Sequence, residues 1–299
     1  MKIFNFIAAI LLIVFSPSCQ KELDGNDIIP PPSVDSVKIL DSSYLDKVIL
    51  LDDNGIDTFE LQTFNYDANK RLVLITDTTK SGGTISPGFT RYFYNGNDTL
   101  PYKKVYVSAF EQFDSVVTYL FYDNAGKKTA DSSRRFAIAT NIDTLQQEYV
   151  TRYKYSADKI YGDLKNIEFS NNFKDSTFSN ELDTAIVDIN SNILSIIHGA
   201  FQAPKRLDYF TYDTHTNPYF KLNILKTEQL FPEFHFGLAK NNLLTGDVQD
   251  NSVSDPTARI KDNYVYTYNS SGLPLTLKDI YTKGSNTYTD VYLYKYKAL

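Results

Sequence analysis

The sequence predicts an all-β protein: a long antiparallel meander of roughly 14–16 strands, curled into a barrel-like or half-barrel sheet. Three observations carry this. Aromatic and β-branched residues alternate with polar ones, an aromatic–x–Tyr unit recurs at a near-constant spacing, and each copy runs into a turn-forming residue.

The alternation is clearest in Asn263-Tyr-Val-Tyr-Thr-Tyr268 and from Val291 to Tyr296, where every second residue is tyrosine. Thr151 to Tyr155 sets charges on one face and rings on the other. A period of two is what a half-buried strand requires, because successive side chains leave opposite faces.

The recurring unit ends at Tyr66, Tyr94, Tyr122, Tyr155, Tyr212, Tyr268 and Tyr296. The intervals are 28, 28, 33, 57, 56 and 28 residues, so the two longest are close to double the unit. Val187-Asp-Ile-Asn190 reads as a degenerate copy inside the first long interval. A fixed period in this range marks a repeated supersecondary element, here two strands and two turns. The turns carry Asp123-Asn-Ala-Gly126, Asn95-Gly-Asn-Asp98 and Asn269-Ser-Ser-Gly272. Asp, Asn and Gly accept left-handed dihedrals, and Asp or Asn side chains can bond the turn backbone. The regularly spaced tyrosines read as cross-strand packing partners rather than sugar platforms.

The N-terminus has a different logic. Met1-Lys2 precedes a largely apolar run ending at Phe15, which is a secretory signal rather than a bilayer span of roughly 20 residues. Ser16-Pro-Ser18 then leads into Cys19, the chain's one cysteine, in the manner of a lipobox. The expected organisation is a signal peptide over 1–18, a lipidated Cys19 with a flexible tether over 19–35, and one β domain over 36–299. Lys21 followed by Glu22 and Asp24 resembles a surface-export tag, so the expected location is the outer membrane, facing outward. With Cys19 carrying lipid there is no disulfide, and the domain must hold together by burial.

Residues 213–262 break the rhythm and are expected to form an irregular insertion with a short helix. Large apolar residues persist there, and Tyr219 and Phe234 are the candidate ligand-binding anchors, since aromatics carry disproportionate binding energy.

The Tyr-Asp turn units, the segment Tyr212-Asp-x-His215-x-Asn217-Pro-Tyr219, Leu238-Ala-Lys-Asn-Asn242 and Tyr268-Asn-x-x-Gly272-Leu-Pro274 together resemble an uncharacterised bacterial lipoprotein family with a porin-like fold. The resemblance spans nearly the whole mature chain and implies a barrel-like sheet. It brings no activity and no site residues. The Tyr-Asp units are also similar to those of large secreted shell-forming repeat proteins.

No catalytic signature emerges. Counting an EF-hand from Asp52 places Thr63 where a bidentate Glu belongs, and Asn54-Gly55 is a better hairpin turn. His198, His215 and His235 lack the paired spacing of a zinc site, so no metal and no cofactor are expected. Ser156-Ala-Asp-Lys159 matches S-x-x-K but sits on a predicted turn. A net charge of −6 excludes the basic face that nucleic acid needs. The expected role is a non-enzymatic binding or structural one in the cell envelope, with the membrane reached through the lipid and an envelope protein or glycan as partner. The second reading is a glycan- or lipophile-binding protein using the barrel interior or the 213–262 segment, and the third is a hydrolase.

Overall fold

The chain closes into a sixteen-stranded antiparallel barrel in which every strand pairs with its neighbours in sequence, and the first pairs with the last. The computed structural model describes residues 43–51, 58–81, 84–108, 114–139, 142–170, 175–199, 205–222, 239–251 and 259–299. The signal segment, Cys19, the tether, Asn54-Gly55, Phe234 and His235 lie outside the described residues.

The strands are β1 (Ser43–Leu51), β2 (Thr58–Tyr66), β3 (Leu72–Ser81), β4 (Thr84–Phe93), β5 (Lys103–Val107) and β6 (Asp114–Tyr122). They continue as β7 (Lys128–Ala139), β8 (Ile142–Tyr155), β9 (Lys159–Ser170), β10 (Asp175–Val187) and β11 (Ile193–His198). The last are β12 (Arg206–Thr216), β13 (Asn241–Asp250), β14 (Ile260–Tyr268), β15 (Pro274–Lys283) and β16 (Asn286–Ala298). Closure is made by β1 on β16, from Ser43 opposite Ala298 to Leu50 opposite Tyr292.

The expected 28-residue unit is thus a hairpin pair. Its Asx turn has one form in four copies. The side-chain oxygen Oδ1 of Asp67, Asp123, Asp188 or Asn269 accepts the backbone N–H groups two and four residues on, at 2.8–2.9 Å. The residue three places on then has positive φ: Lys70 (61°), Gly126 (72°), Ser191 (67°) and Gly272 (74°). Asp188 gives the Val187-Asp-Ile-Asn190 segment the same turn bonding as the other three.

The repeat tyrosines fix successive hairpins to one another. Tyr66, Tyr94, Tyr155, Tyr212 and Tyr296 donate their hydroxyls to the carbonyls of Leu45, Leu72, Lys128, Ile193 and Pro274 at 2.6–2.8 Å. Tyr122 does the same to Pro101 at 3.1 Å. In most copies the acceptor opens the strand that leaves the preceding turn, so the rings form a belt at the turn end of the barrel. Val187 has no hydroxyl, and there its backbone N–H donates to Asp158 O at 2.9 Å instead.

Inside that belt lies the hydrophobic core. Leu45, Val48, Phe64, Tyr92, Ala185, Ile196, Phe210, Leu243, Tyr264, Leu277 and Tyr294 form one buried cluster drawn from β1, β2, β4 and β10 to β16. A sixteen-stranded barrel can enclose a water-filled channel. Here the buried rings of Phe64, Tyr92, Phe210, Tyr264 and Tyr294 stand in the interior.

The expected irregular insertion is shorter than 213–262. Residues to Thr216 belong to β12, Asn241–Asp250 form β13, and β14 begins at Ile260. Among the described residues of this segment the helical element is a 3-10 turn, Phe220–Leu222, and residues 223–238 lie outside them. β13 escaped notice because it lacks the aromatic–x–Tyr unit and contains Gly246. A Cβ at that glycine would lie 2.9 Å from Asp262 Oδ2 on the neighbouring strand, so a larger residue would displace that carboxylate.

Candidate functional site

The barrel interior is the one concave surface that every strand contributes to. Residues directly opposite on paired strands share a face, so the inward set follows from the fully buried Phe64 on β2 and from Leu277 on β15. Glu60 lies on the Phe64 face of β2, and Asp77 is opposite Gln62 on that same face. Asp279 is opposite both Tyr264 and Asp290, and Asp262 is opposite Tyr281. Five carboxyls therefore face inward on β14, β15, β16, β2 and β3. They occupy the half of the lumen away from the tyrosine belt. Tyr281 and Tyr288 stack above them at 5.0 Å between centroids, and Tyr288 is 45% exposed.

Burial dominates the electrostatics of this wall. It pushes the Glu60 carboxyl up to about 7, with the charge of Asp77 adding to the effect. Asp279 rises to about 7 through burial and then the fields of Asp262 and Asp290. Asp262 rises to about 6, again chiefly through burial. The phenols of Tyr264, Tyr266, Tyr292 and Tyr294 are pushed well above their ordinary range by the same desolvation, so they stay protonated donors.

Across the barrel the interior carries two compensated charge clusters. His198 Nδ1 lies 3.4 Å from Asp183 Oδ2, and its Nε2 lies 3.2 Å from Asp208 Oδ2. Burial opposes the imidazolium, yet bonding to Asp183 and Asp208 raises it to about 9. Arg206 Nε donates to Asp208 Oδ1 at 2.8 Å. The second cluster is Lys128, whose ammonium is 3.0 Å from Asp131 and over the Tyr153 ring, while the Tyr153 hydroxyl donates to Asp131 at 2.7 Å.

Tyr219 packs its ring edge-on to Phe64 at 6.1 Å between centroids, and its field reaches Tyr266, Tyr292, Tyr294 and Tyr296. It stands inside the lumen as part of the packing that fills the belt end. A pocket of about 10 Å³ beside it, between Leu45, Pro218, Leu222 and Tyr296, holds no more than a water. The segments around Asp213 and Asn241 form one polar knot. Asp213 Oδ1 accepts the N–H of His215 and that of Asn242, its Oδ2 accepts the Asn242 amide, and the Tyr268 hydroxyl donates to the same carboxylate. His215 stacks on Tyr268 at 3.9 Å. Asn241 and Asn192 exchange side-chain and backbone bonds at 3.0 Å. This knot joins β12, β13 and β14 where the ordinary tyrosine-to-carbonyl clamp is replaced.

Ser156, the serine of S-x-x-K, has its hydroxyl turned to Asp158 and to the Lys159 carbonyl within its own turn. Among the described residues no group of three or more His, Cys, Asp and Glu is placed to hold a metal ion. The inward carboxyls are what sequence reasoning passed over. Their signal was parity: Asp262 with Tyr264, Asp279 with Leu277, and Asp290 with Tyr292 each share a face with core residues.

Among solved structures, the chain is similar to a porin-like protein from Bacteroides vulgatus, with a TM-score of 0.52 at 12% identity over 86% of this chain and 100% of that one. The fold is porin-like. A porin-like protein from Bacteroides uniformis aligns with a TM-score of 0.47 at 12% identity, over 84% of this chain and 96% of that one. No protein-family model matches the sequence, and no curated protein matches it.

Proposed function

We propose that this chain is a non-enzymatic envelope lipoprotein, cut before Cys19, acylated on that thiol, and tethered through residues 19–35 to the outer membrane with its barrel facing outward. The barrel serves as a closed-ended vessel in a binding or structural role and is not a through-channel. The observation that carries this is the buried core at the belt end, where Phe64, Phe210 and Tyr294 belong to one cluster and Tyr219 packs on it. The outer wall supports anchoring by lipid rather than by the strands. Arg152 and Lys154 on β8, Asp163 and Lys165 on β9, Lys261 on β14 and Lys278 on β15 are exposed outward-facing charges, which suit water and not hydrocarbon.

Purified full-length protein added to planar bilayers is expected to give no stepwise conductance; ion-conducting steps would overturn the closed-ended reading. Metabolic labelling with a fatty-acid probe should mark the wild type and not Cys19→Ser. A labelled mutant would sink the lipoprotein assignment without touching the barrel. The second reading, a glycan bound in the interior, is supported by the stacked Tyr281–Tyr288 pair near the β15–β16 hairpin. The acidic lining disfavours a lipophile.

A further inference from the structure

The outer wall is not uniform around the barrel. β8 and β9 carry outward charges of both signs, Arg152, Lys154, Asp163 and Lys165. On β3 to β6, four neighbouring strands of the sheet, the outward set is different. Tyr92 on β4 and Leu120 on β6 are buried inward, so Phe89 and Phe93, Val105 and Val107, and Val117 and Phe121 face out. Phe89 lies opposite Val107, and Val105 opposite Val117, so these side chains form one continuous surface. Ile85 at its edge is 64% exposed. Four strands at the usual spacing make a face about 19 Å across. A contiguous apolar face of that width marks an interaction site rather than scattered exposure. The charges on it are of one sign. Lys80, Arg91 and Lys103 face outward, and among the described side chains no Asp or Glu of β3 to β6 does, since Asp77 faces the lumen. Lys103 Nζ lies 4.2 Å from the Phe93 ring centroid, and the Arg91 guanidinium 5.7 Å from that of Phe89, so cation and ring share the surface.

We propose that this face rests on an anionic lipid surface. Its phenylalanine and valine side chains sit at the boundary between headgroups and acyl chains, and Lys80, Arg91 and Lys103 meet lipid phosphates. Apolar burial combined with attraction of cations to anionic headgroups is how a protein holds a bilayer surface without crossing it. A second copy of the chain fits the face poorly, because a two-fold contact pairs a patch with itself and would bring the same cations together from both sides. The mixed charges outward on β8 and β9 offer no such match, so the barrel lies on one side. The inference deepens the envelope reading, on which it rests for the presence of a bilayer. The chain between Cys19 and Ser43 reaches about 80 Å when fully extended, so a lipid on Cys19 lets any side of the wall meet the membrane, and the chemistry of the wall selects this one.

The chain contains no tryptophan, so a single introduced one reports on its own position. The test uses the full chain carrying Cys19→Ser, which removes the acyl anchor, mixed with vesicles of phosphatidylglycerol whose acyl chains are brominated. Blue-shifted emission quenched by the bromines is expected for Val105→Trp and for Ile85→Trp. It is not expected for Val265→Trp, which faces outward on β14 across the barrel and is 48% exposed. Adhesion through the N-terminal apolar run is common to all three reporters and does not separate them. Adding Arg91→Glu and Lys103→Glu should reduce the quenching at Val105→Trp by about tenfold or more, and so should replacing the lipid by brominated phosphatidylcholine. A thermal melt identifies a reporter that has lost its fold, and the exposed Ile85→Trp then carries the test. Equal quenching of Val265→Trp, or none of Val105→Trp and Ile85→Trp, would overturn the proposal. A blue shift that grows with protein concentration in the absence of vesicles would assign the face to a second copy instead, and overturn it too. Fatty-acid labelling of the wild type reports on Cys19 alone, so the two readings fail separately.

Discussion

The Tyr94 hydroxyl donates to the Leu72 carbonyl at 2.7 Å, linking a strand end to the start of a strand in the preceding hairpin pair. Because the same bond recurs from Tyr66, Tyr155, Tyr212 and Tyr296, the belt end is laced together hairpin by hairpin. Each such bond is worth about 1 kcal/mol net, and more if the acceptor is left unsatisfied. Tyr94→Phe keeps the ring and the Arg71 guanidinium stacked on it, so it isolates the hydroxyl. A loss of about 1–2 kcal/mol is expected in a urea melt. No loss would mean that water replaces the bond and that the belt is ring packing alone.

Strand parity is tested at Tyr266 and Thr267. Tyr266 packs inward against the core, while Thr267 faces out and shares a 2.7 Å hydroxyl bond with Thr276. Tyr266→Asp should cost several kcal/mol by placing an unpaired charge in the lumen. Thr267→Asp should change stability by about 0.5 kcal/mol, as exposed positions generally do. Equal effects would reverse the assigned faces of β14.

The positive-φ place in the Asx turn allows opposite substitutions in two copies. At Gly272, with φ of 74°, alanine pays about 1–2 kcal/mol for the left-handed conformation. Its Cβ would also come within 3.2 Å of His215 Cδ2, pressing on the ring stacked against Tyr268. Ser191 already holds φ of 67°, so Ser191→Gly relieves strain while adding freedom to the unfolded chain. Gly272→Ala should lower the urea midpoint clearly, and Ser191→Gly should leave it level or raise it. A fall of the same size in both would show that the turn is held by something other than its dihedral.

The architecture was legible because its determinants are local. The alternation Tyr264, Tyr266, Tyr268 and the Asx residues Asp67, Asp123 and Asn269 each report on a few neighbouring residues, and the 28-residue interval reports on their repetition. β13 was not legible, since Asn241–Asp250 is specified by partners: Gly246 by the Asp262 side chain across the ladder, and Asn241 by Asn192, 49 residues earlier. Tyr219 read as a candidate ligand-binding anchor because it follows a break in the pattern, and only the closed barrel brings it onto Phe64. The acidic wall illustrates the same limit. Asp279 and Asp290 are ordinary strand residues until closure desolvates them, and Glu60 joins them only because β1 pairs with β16.

That wall makes the barrel's pH dependence run opposite to ordinary acid denaturation. Glu60 and Asp279 have folded-state values near 7, and Asp262 near 6, all above their ordinary range. A carboxyl raised on folding contributes its stability fully below its unfolded value of about 4, and loses it as pH rises through the folded value. Between pH 5 and 8 these three groups must ionise inside the lumen, so stability should fall over that window. His198 adds a second loss at higher pH, since its stabilisation is complete below about 6.5 and disappears as pH passes 9. Asp67 and Asp247 act in the other sense. Hydrogen bonds and charge from Arg71 outweigh burial at Asp67, and those from Arg259 hold Asp247 down, so their contributions are present above about 3.8 and fade below it. Chemical denaturation of the full chain at pH 5, 6.5 and 8 should therefore show the greatest stability near pH 5. Asp279→Asn should raise the stability at pH 8 and flatten the slope between 5 and 8, leaving the value at pH 5 nearly unchanged. Parallel curves for wild type and mutant would mean that Asp279 is solvated and ionised across the whole range, and that the wall carries no stored repulsion.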